Sequence, residues 1–178
     1  MDIHRIDIGK NSPDEVNAII EVPAYGAAVK YEMDKDSGAL TVDRFLGTAM
    51  HYPCNYGFIP HTLGEDGDPL DILVITHSPL MSGVVIPCRP VGMLEMEDES
   101  GGDAKVLAVP ADKLTPLYHG VREHSDLPEA ILGEIAHFFE QYKALEKGKW
   151  ARVDQWRSAD DARAEIAASV KRHDEAGA

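Results

Sequence analysis

The chain is poor in cysteine, aromatic residues and basic charge. Two cysteines in 178 residues, Cys54 and Cys88, cannot build a disulfide framework, and their separation fits no zinc motif. Two buried thiols in a reducing compartment are expected. Seventeen Lys and Arg stand against 31 Asp and Glu, a net charge of −14. That excess of acid argues against general nucleic-acid or anionic-membrane binding, which use clustered Lys and Arg. It leaves an anionic substrate open, because bound metal ions can invert the local field and let a phosphate approach carboxylates. No stretch approaches the roughly 20 apolar residues of a spanning helix. Met1-Asp2-Ile3-His4-Arg5-Ile6-Asp7 carries charge where a signal peptide has its apolar segment, so a soluble cytoplasmic protein is expected. The sequence also lacks a GxxxxGK[ST] loop, a GxGxxG turn after a strand and a GxSxG elbow. Nucleotide, dinucleotide and serine-hydrolase chemistries drop out. His51, His61, His77, His119 and His137 show no HxxxH or HExxH spacing, and none is expected to hold a metal.

What remains is an ordinary apolar fraction, 44%, in a length that suits one domain spanning 1–178. Ala28 to Met33 and Ala39 to Phe45 flank Asp34-Lys35-Asp36-Ser37-Gly38 and read as a β-hairpin. With Met33 opposite Ala39, Lys30, Glu32 and Arg44 share one face. Further strands are expected at Leu70–Thr76, Val84–Pro87, Val91–Met96 and Lys105–Val109, with an acidic loop from Glu97 to Asp103. Asp126 is placed to cap a helix entered through Pro128. Its apolar stripe is Ile131, Ile135, Phe138, Tyr142 and Leu145, and Gly148 ends it. A short strand at Trp150–Val153 and a second helix from Ser158 toward His173 follow. Short strands first and helices last predict an α+β fold, mainly β: a small closed barrel with helices outside.

Asp66-Gly67-Asp68-Pro69-Leu70-Asp71 gathers three carboxylates directly before the apolar run Ile72-Leu73-Val74-Ile75. Like charges this close repel unless a hard cation such as Mg²⁺, Mn²⁺ or Ca²⁺ holds them. An EF-hand starting at Asp66 needs Gly sixth and Glu twelfth, where Asp71 and His77 stand, so that motif fails. The bland alternative is a solvated acidic turn. Against it stand other mixed-charge groups: Asp98 and Asp103 in the acidic loop, Asp103 with Lys105, Lys30 with Glu32, and Tyr142-Lys143. Tyr56, in an aromatic run better read as core and turn, gains interest only as a neutral donor to phosphate. Metal-binding acids, phosphate-binding cations and phenols together suit phosphoryl transfer. The rivals are a non-catalytic binding barrel, which the charge disfavours, and a structural Ca²⁺ domain, which needs no convergent Lys, Arg and Tyr.

Asp-Gly-Asp-Pro-Leu-Asp resembles the signature of the soluble family I inorganic pyrophosphatases. The likeness continues, in that family's order, through Glu21-Val22-Pro23, Val29-Lys30-Tyr31-Glu32, Val42-Asp43-Arg44-Phe45 and Tyr52-Pro53-Cys54-Asn55-Tyr56-Gly57. It extends through Cys88-Arg89-Pro90-Val91-Gly92, Asp98-Glu99, Gly102-Asp103-Ala104-Lys105, His137-Phe138-Phe139 and Tyr142-Lys143. The length resembles the compact bacterial form. The resemblance implies an OB-like five-stranded barrel, hydrolysis of pyrophosphate to two phosphates with Mg²⁺ (Mn²⁺, Zn²⁺ or Co²⁺ as substitutes), and a homohexamer built as a dimer of trimers. It implies Asp66, Asp71 and Asp103 as ligands of two ions, Asp98 with Asp103 for a further ion, and Glu32 assisting. Asp68 would be the general base. Lys30, Arg44, Tyr56, Tyr142 and Lys143 would grip the phosphates, with Lys105 close by.

Overall fold

The computed structural model describes residues 2–177. Its strands are β1 (Val16–Val22), β2 (Val29–Met33), β3 (Leu40–Phe45), β4 (Asn55–Phe58), β5 (Asp71–Val74), β6 (Val85–Asp98), β7 (Gly101–Pro110) and β8 (Ala151–Arg157). Helix α1 (Glu129–Gln141) precedes β8, and α2 (Ala159–Ala176) follows it. Six strands form one sheet in the order β1-β4-β5-β7-β6-β8, and β1 also pairs with β6. Five strands therefore close into a ring, with β8 attached outside. The α+β, mainly β fold with flanking helices is the one expected. Strand β6 is long enough to do two jobs, pairing β1 through Val85–Cys88 and β8 through Met93–Asp98.

The departures from expectation have local causes. Prolines at 87 and 90 read as strand ends, yet β6 runs through both with a register shift between Pro90 and Gly92; bulges are where a ladder tolerates proline. Strands β1 and β4 were not expected. Strand β1 is almost wholly buried and lacks the alternation that marks a half-exposed strand. In β4 the conformation is set by packing. A Cβ at Gly57 would lie 1.9 Å from the Ile19 carbonyl oxygen, so only glycine lets β1 and β4 approach this closely. Beside it the buried Asn55 amide donates to Val74 O and Thr76 Oγ1 and accepts from the Ala24 and Leu80 amides. One side chain thus ties the exits of β1 and β5.

Hairpin β2–β3 forms as expected, but Met33 pairs with Leu40, not Ala39. A bulge after Lys30 then brings Lys30 opposite Arg44. Helix α1 stops at Gln141, short of Leu145, which is 73% exposed and outside the core. The Asp126 carboxylate accepts from the Arg122 and Glu123 amides, closing the turn before α1, whose N-cap is Pro128. Ser158 caps α2 reciprocally with Asp161.

The core has two main parts, one on each face of the sheet. Ile20, Ile72, Val74, Val106 and Ala108 pack with Ala162 and Ile166 of α2. Leu73, Leu94, Met96 and Leu107 pack with Ile135, Phe138, Phe139 and Tyr142 of the α1 segment. The second face carries the charged residues. Asp71 opens β5, Asp103 and Lys105 lie toward the start of β7, and Asp98 ends β6. Because β5 and β7 are parallel and β6 is antiparallel to β7, all four fall at one end of the sheet. Side chains two apart share a face, so each strand passes from acid to Leu or Met along the same surface.

Candidate active site

A cleft of about 240 Å³ opens at that end of the sheet. Its acidic wall holds Asp66, Asp68, Asp71, Asp98 and Asp103, and its other walls bring Lys30, Arg44, Lys105, Tyr56, Tyr142 and Lys143. Residues spread from position 30 to 143 thus meet in one place. Glu32 stands apart. It borders a smaller neighbouring cavity with Glu21, Lys30, Asp68 and Asp71, and its side chain is 44% exposed, 3.8 Å from the Lys30 ammonium.

Lys105 is the hub. It is 2% exposed, directly opposite Asp71 in the parallel ladder, and two residues from Asp103 on its own strand. Its ammonium donates to Asp71 Oδ2 at 2.6 Å and to both Asp103 oxygens at 2.9 Å. Burial alone would lower its pKa, but Asp103 and Asp71 outweigh that and hold it well above the usual lysine range. For Asp103, burial is the larger influence and lifts the carboxyl above its ordinary value despite Lys105. Tyr56 adds a second donor to Asp71, O–H to Oδ2 at 2.9 Å. Its phenol is raised well above its ordinary value by burial first and by the Asp71 charge next, so it stays a neutral donor.

Asp98 is held from the other side. Lys143 donates to its Oδ2 at 2.6 Å and the Ser100 amide to its Oδ1 at 2.7 Å. Burial pushes the Asp98 carboxyl up, but these donors outweigh it and leave it below its usual value. Across the cleft, Arg44 lies between Asp43 at 3.7 Å and Glu146 at 3.3 Å, over the Tyr142 ring.

The loop carrying Asp66 and Asp68 is shaped by its own acids. Asp66 Oδ1 accepts from the Asp68 amide, and Asp68 O accepts from the Gly64 amide. A Cβ at Gly64 would come within 2.8 Å of Asp66 Oδ1, so a larger residue there would push the Asp66 carboxylate aside. Burial, with the neighbouring Asp68 and Asp103 charges, raises Asp66. The Asp68 carboxylate itself makes no hydrogen bond or ion pair among the described residues, so both its oxygens can accept from a water or hydroxyl.

Asp66, Asp71, Asp98 and Asp103 could hold cations. The donors are hard carboxylate oxygens with no imidazole or thiolate among the residues lining the cleft, which suits Mg²⁺ or Mn²⁺ chemistry. A buried ammonium already bridges Asp71 and Asp103, so positive charge fits between them. Among the described residues no group of three Asp, Glu, His or Cys side chains stands close enough to form a ready-made cage.

Sequence reasoning gave no role to Tyr52, Glu99 and Lys149, which also line the cleft. Glu99 had a signal, lying beside Asp98 in the acidic loop. Lys149 had none, since only the turn after α1 brings it within 4.0 Å of Glu99. Glu21 was also missed. It is 4% exposed on β1, accepts from the Met33 amide at 2.7 Å and lies 3.5 Å from the Lys35 ammonium. Burial pushes its carboxyl up to about 7, against the pull of Lys35.

A folded-state value above the unfolded one means that the native protein keeps a proton the unfolded chain has lost. Stability therefore falls as pH rises from about 4.5 to about 7. Glu21→Gln should abolish a contribution on the order of 3 kcal/mol. In metal-free thermal denaturation, wild type and variant should agree near pH 5, with the variant melting higher at pH 8. Parallel pH curves would contradict a proton held on Glu21.

Known proteins are similar to this chain in sequence and in fold. The sequence model described as inorganic pyrophosphatase matches residues 18–174. The chain is 56% identical over 171 residues to inorganic pyrophosphatase 1 of Pseudomonas syringae, covering 96% of this chain and 98% of the relative. Its fold is similar to the crystal structure of an inorganic phosphatase from Anaplasma phagocytophilum, with a TM-score of 0.93 and 52% identity, covering 95% of this chain and 99% of the other. It is also similar to the inorganic pyrophosphatase of Thermus thermophilus, with a TM-score of 0.92 and 47% identity over 98% and 99% of the two chains. The chain belongs to the inorganic pyrophosphatase family.

Proposed function

We propose that the chain hydrolyses inorganic pyrophosphate to two orthophosphates in this cleft. The observation that carries the reading is the gathering of five aspartates opposite Lys30, Arg44 and Lys143 around one space. Pyrophosphate needs its negative oxygens neutralised and a water delivered in line with the bridging oxygen, and little else. Mg²⁺ held by Asp66, Asp71, Asp103 and Asp98 would supply charge neutralisation and a lowered pKa for the attacking water. Mn²⁺, Co²⁺ and Zn²⁺ are the substitutes to test. Asp68 accepts the proton of that water as its oxygen bonds to phosphorus and the bond to the bridging oxygen breaks. Lys30, Arg44, Tyr142 and Lys143 hold the departing phosphate, whose charge grows as it leaves. Lys105 and Tyr56 keep Asp71 and Asp103 oriented, and Glu32 assists from the adjoining cavity.

The acidic surface disfavours nucleic acid as a partner, and no helix is long and apolar enough to cross a membrane among the described residues. Cytoplasmic placement and a homohexamer built as a dimer of trimers complete the proposal, with exposed Phe45, Met81 and Leu117 as apolar surface that an assembly would cover.

The test is phosphate release from pyrophosphate with Mg²⁺ and after its removal by EDTA. Release that requires Mg²⁺ and returns when the ion is restored is expected. A folded sample that releases no phosphate under either condition would refute the assignment.

A further inference from the structure

The buried stripe of α2 is Ala159, Ala162, Ile166 and Ser169. One helical turn further along, the same side of the helix carries Arg172. A stripe that turns polar at its end needs a polar partner, and that partner is the backbone of Leu63. The Leu63 amide donates to Ser169 O at 3.0 Å, and Arg172 Nε donates to Leu63 O at 2.8 Å. Both peptide groups of one loop residue are therefore tied to one helix. The other arm of the Arg172 guanidinium pairs with Glu165, one of the residues bordering a cavity of about 170 Å³ behind Asp66, Asp71 and Asp103.

Leu63 is the root of the loop that carries Asp66 and Asp68. Gly64, the next residue, donates its amide to Asp68 O at 2.7 Å. On the far side, Thr62 Oγ1 accepts from the Leu70 amide at 2.9 Å while donating to Ile59 O. The loop is thus cross-linked at Thr62–Leu70 and Gly64–Asp68, and α2 grips it at the residue between 62 and 64. Asp71 and Asp103 sit on strands and need no such anchor. Asp66 and Asp68 stand on an exposed turn and depend on it.

We infer that Arg172 is a positioning residue for the reaction: through Leu63 it sets where Asp66 and Asp68 stand relative to Asp71 and Asp103. The inference rests on reading those acids as ligands and base. Arg172 touches no part of the cleft itself, so its effect must travel along the loop. A displaced outer contact of this kind costs metal affinity, about tenfold at the low end of such effects, and a misplaced base costs turnover.

Three full-length variants test it: Arg172→Ala, Arg172→Lys and Ile166→Ala. Ile166 is fully buried and anchors α2 in a core cluster that does not include Leu63, so its truncation reports what a loosened helix does. Amide exchange at Gly64 and Asp68 is followed in metal-free protein, and activity is titrated with Mg²⁺ at saturating pyrophosphate. Arg172→Ala is expected to speed exchange at both amides and to raise the half-activating Mg²⁺ concentration about tenfold. Arg172→Lys, with one fewer arm, should fall between it and wild type. Ile166→Ala should melt lower yet keep the wild-type Mg²⁺ curve. Faster exchange with an unchanged Mg²⁺ curve overturns the positioning role and leaves the hydrolytic reading standing. An Ile166→Ala curve shifted as far as Arg172→Ala also overturns it, since helix stability alone would then explain the effect. Wild type without any Mg²⁺ dependence overturns both readings together.

Discussion

Asp68→Asn is expected to keep the fold and lose about 10²- to 10⁴-fold in kcat, the usual worth of a positioned general base. The substitution is nearly isosteric and removes one negative charge from an exposed turn, where no ion pair depends on it. The backbone bonds that shape the loop use the Asp68 amide and carbonyl, not its carboxylate. Melting temperature should therefore match wild type or rise slightly as acid repulsion eases. The Mg²⁺ requirement should persist, because Asp66, Asp71 and Asp103 are untouched. Steady-state kinetics with saturating Mg²⁺ is the measurement, and near wild-type turnover would remove Asp68 from the role of base.

The second large effect is on stability. Lys105→Met should destabilise the metal-free protein by about 3–5 kcal/mol, as expected when one partner of a buried charge group is lost. Asp71 and Asp103 would then face each other without the ammonium that now bonds both. At this chain length the loss corresponds to a fall of roughly 10 °C in Tm. Methionine keeps most of the stem volume, so packing against Phe139 is largely preserved. Mg²⁺ should restore more stability to the variant than it adds to wild type, because the two carboxylates become free to take the ion. Thermal denaturation in EDTA and in Mg²⁺ decides the matter. An equal Mg²⁺ increment in both proteins would mean that Lys105 does not share those carboxylates with the cation.

How much of this was legible in the sequence follows from how local each cause is. The β2–β3 hairpin was readable because its loop signals are contiguous, yet its register was not, since neither the pairing of Met33 with Leu40 nor the bulge after Lys30 leaves a mark in the pattern. The five-stranded closure depended on β1 and β4, whose buried residues lack alternation and whose pairing is fixed by Gly57 and Asn55. Those are tertiary facts. The acids of the site were conspicuous because charge before an apolar run is costly without a reason. Their arrangement was not conspicuous: only the sheet shows that Lys105 joins Asp71 to Asp103. Leu145 fitted a helical stripe and is nevertheless exposed, because α1 ends before reaching it. Glu21 looked like an ordinary strand residue until its burial was visible. Arg172 sat on an exposed-looking helical tail, and only the contact with Leu63 gives it meaning.

The pairing of Asp71 with Lys105 in the parallel β5–β7 ladder has a consequence for how this chain can vary. Side chains alternate across a strand, so sliding β5 by one residue against β7 would turn Asp71 away from Lys105 and bring Ile72 into the cleft. A single deletion within either strand would therefore erase the site while leaving the composition of the sheet almost unchanged. The segment between Pro110 and Glu129 lies outside that ladder and can gain or lose residues at far smaller cost. The two kinds of change are unequal: point substitutions in the cleft grade its activity, whereas a lost residue in β5 or β7 deletes it.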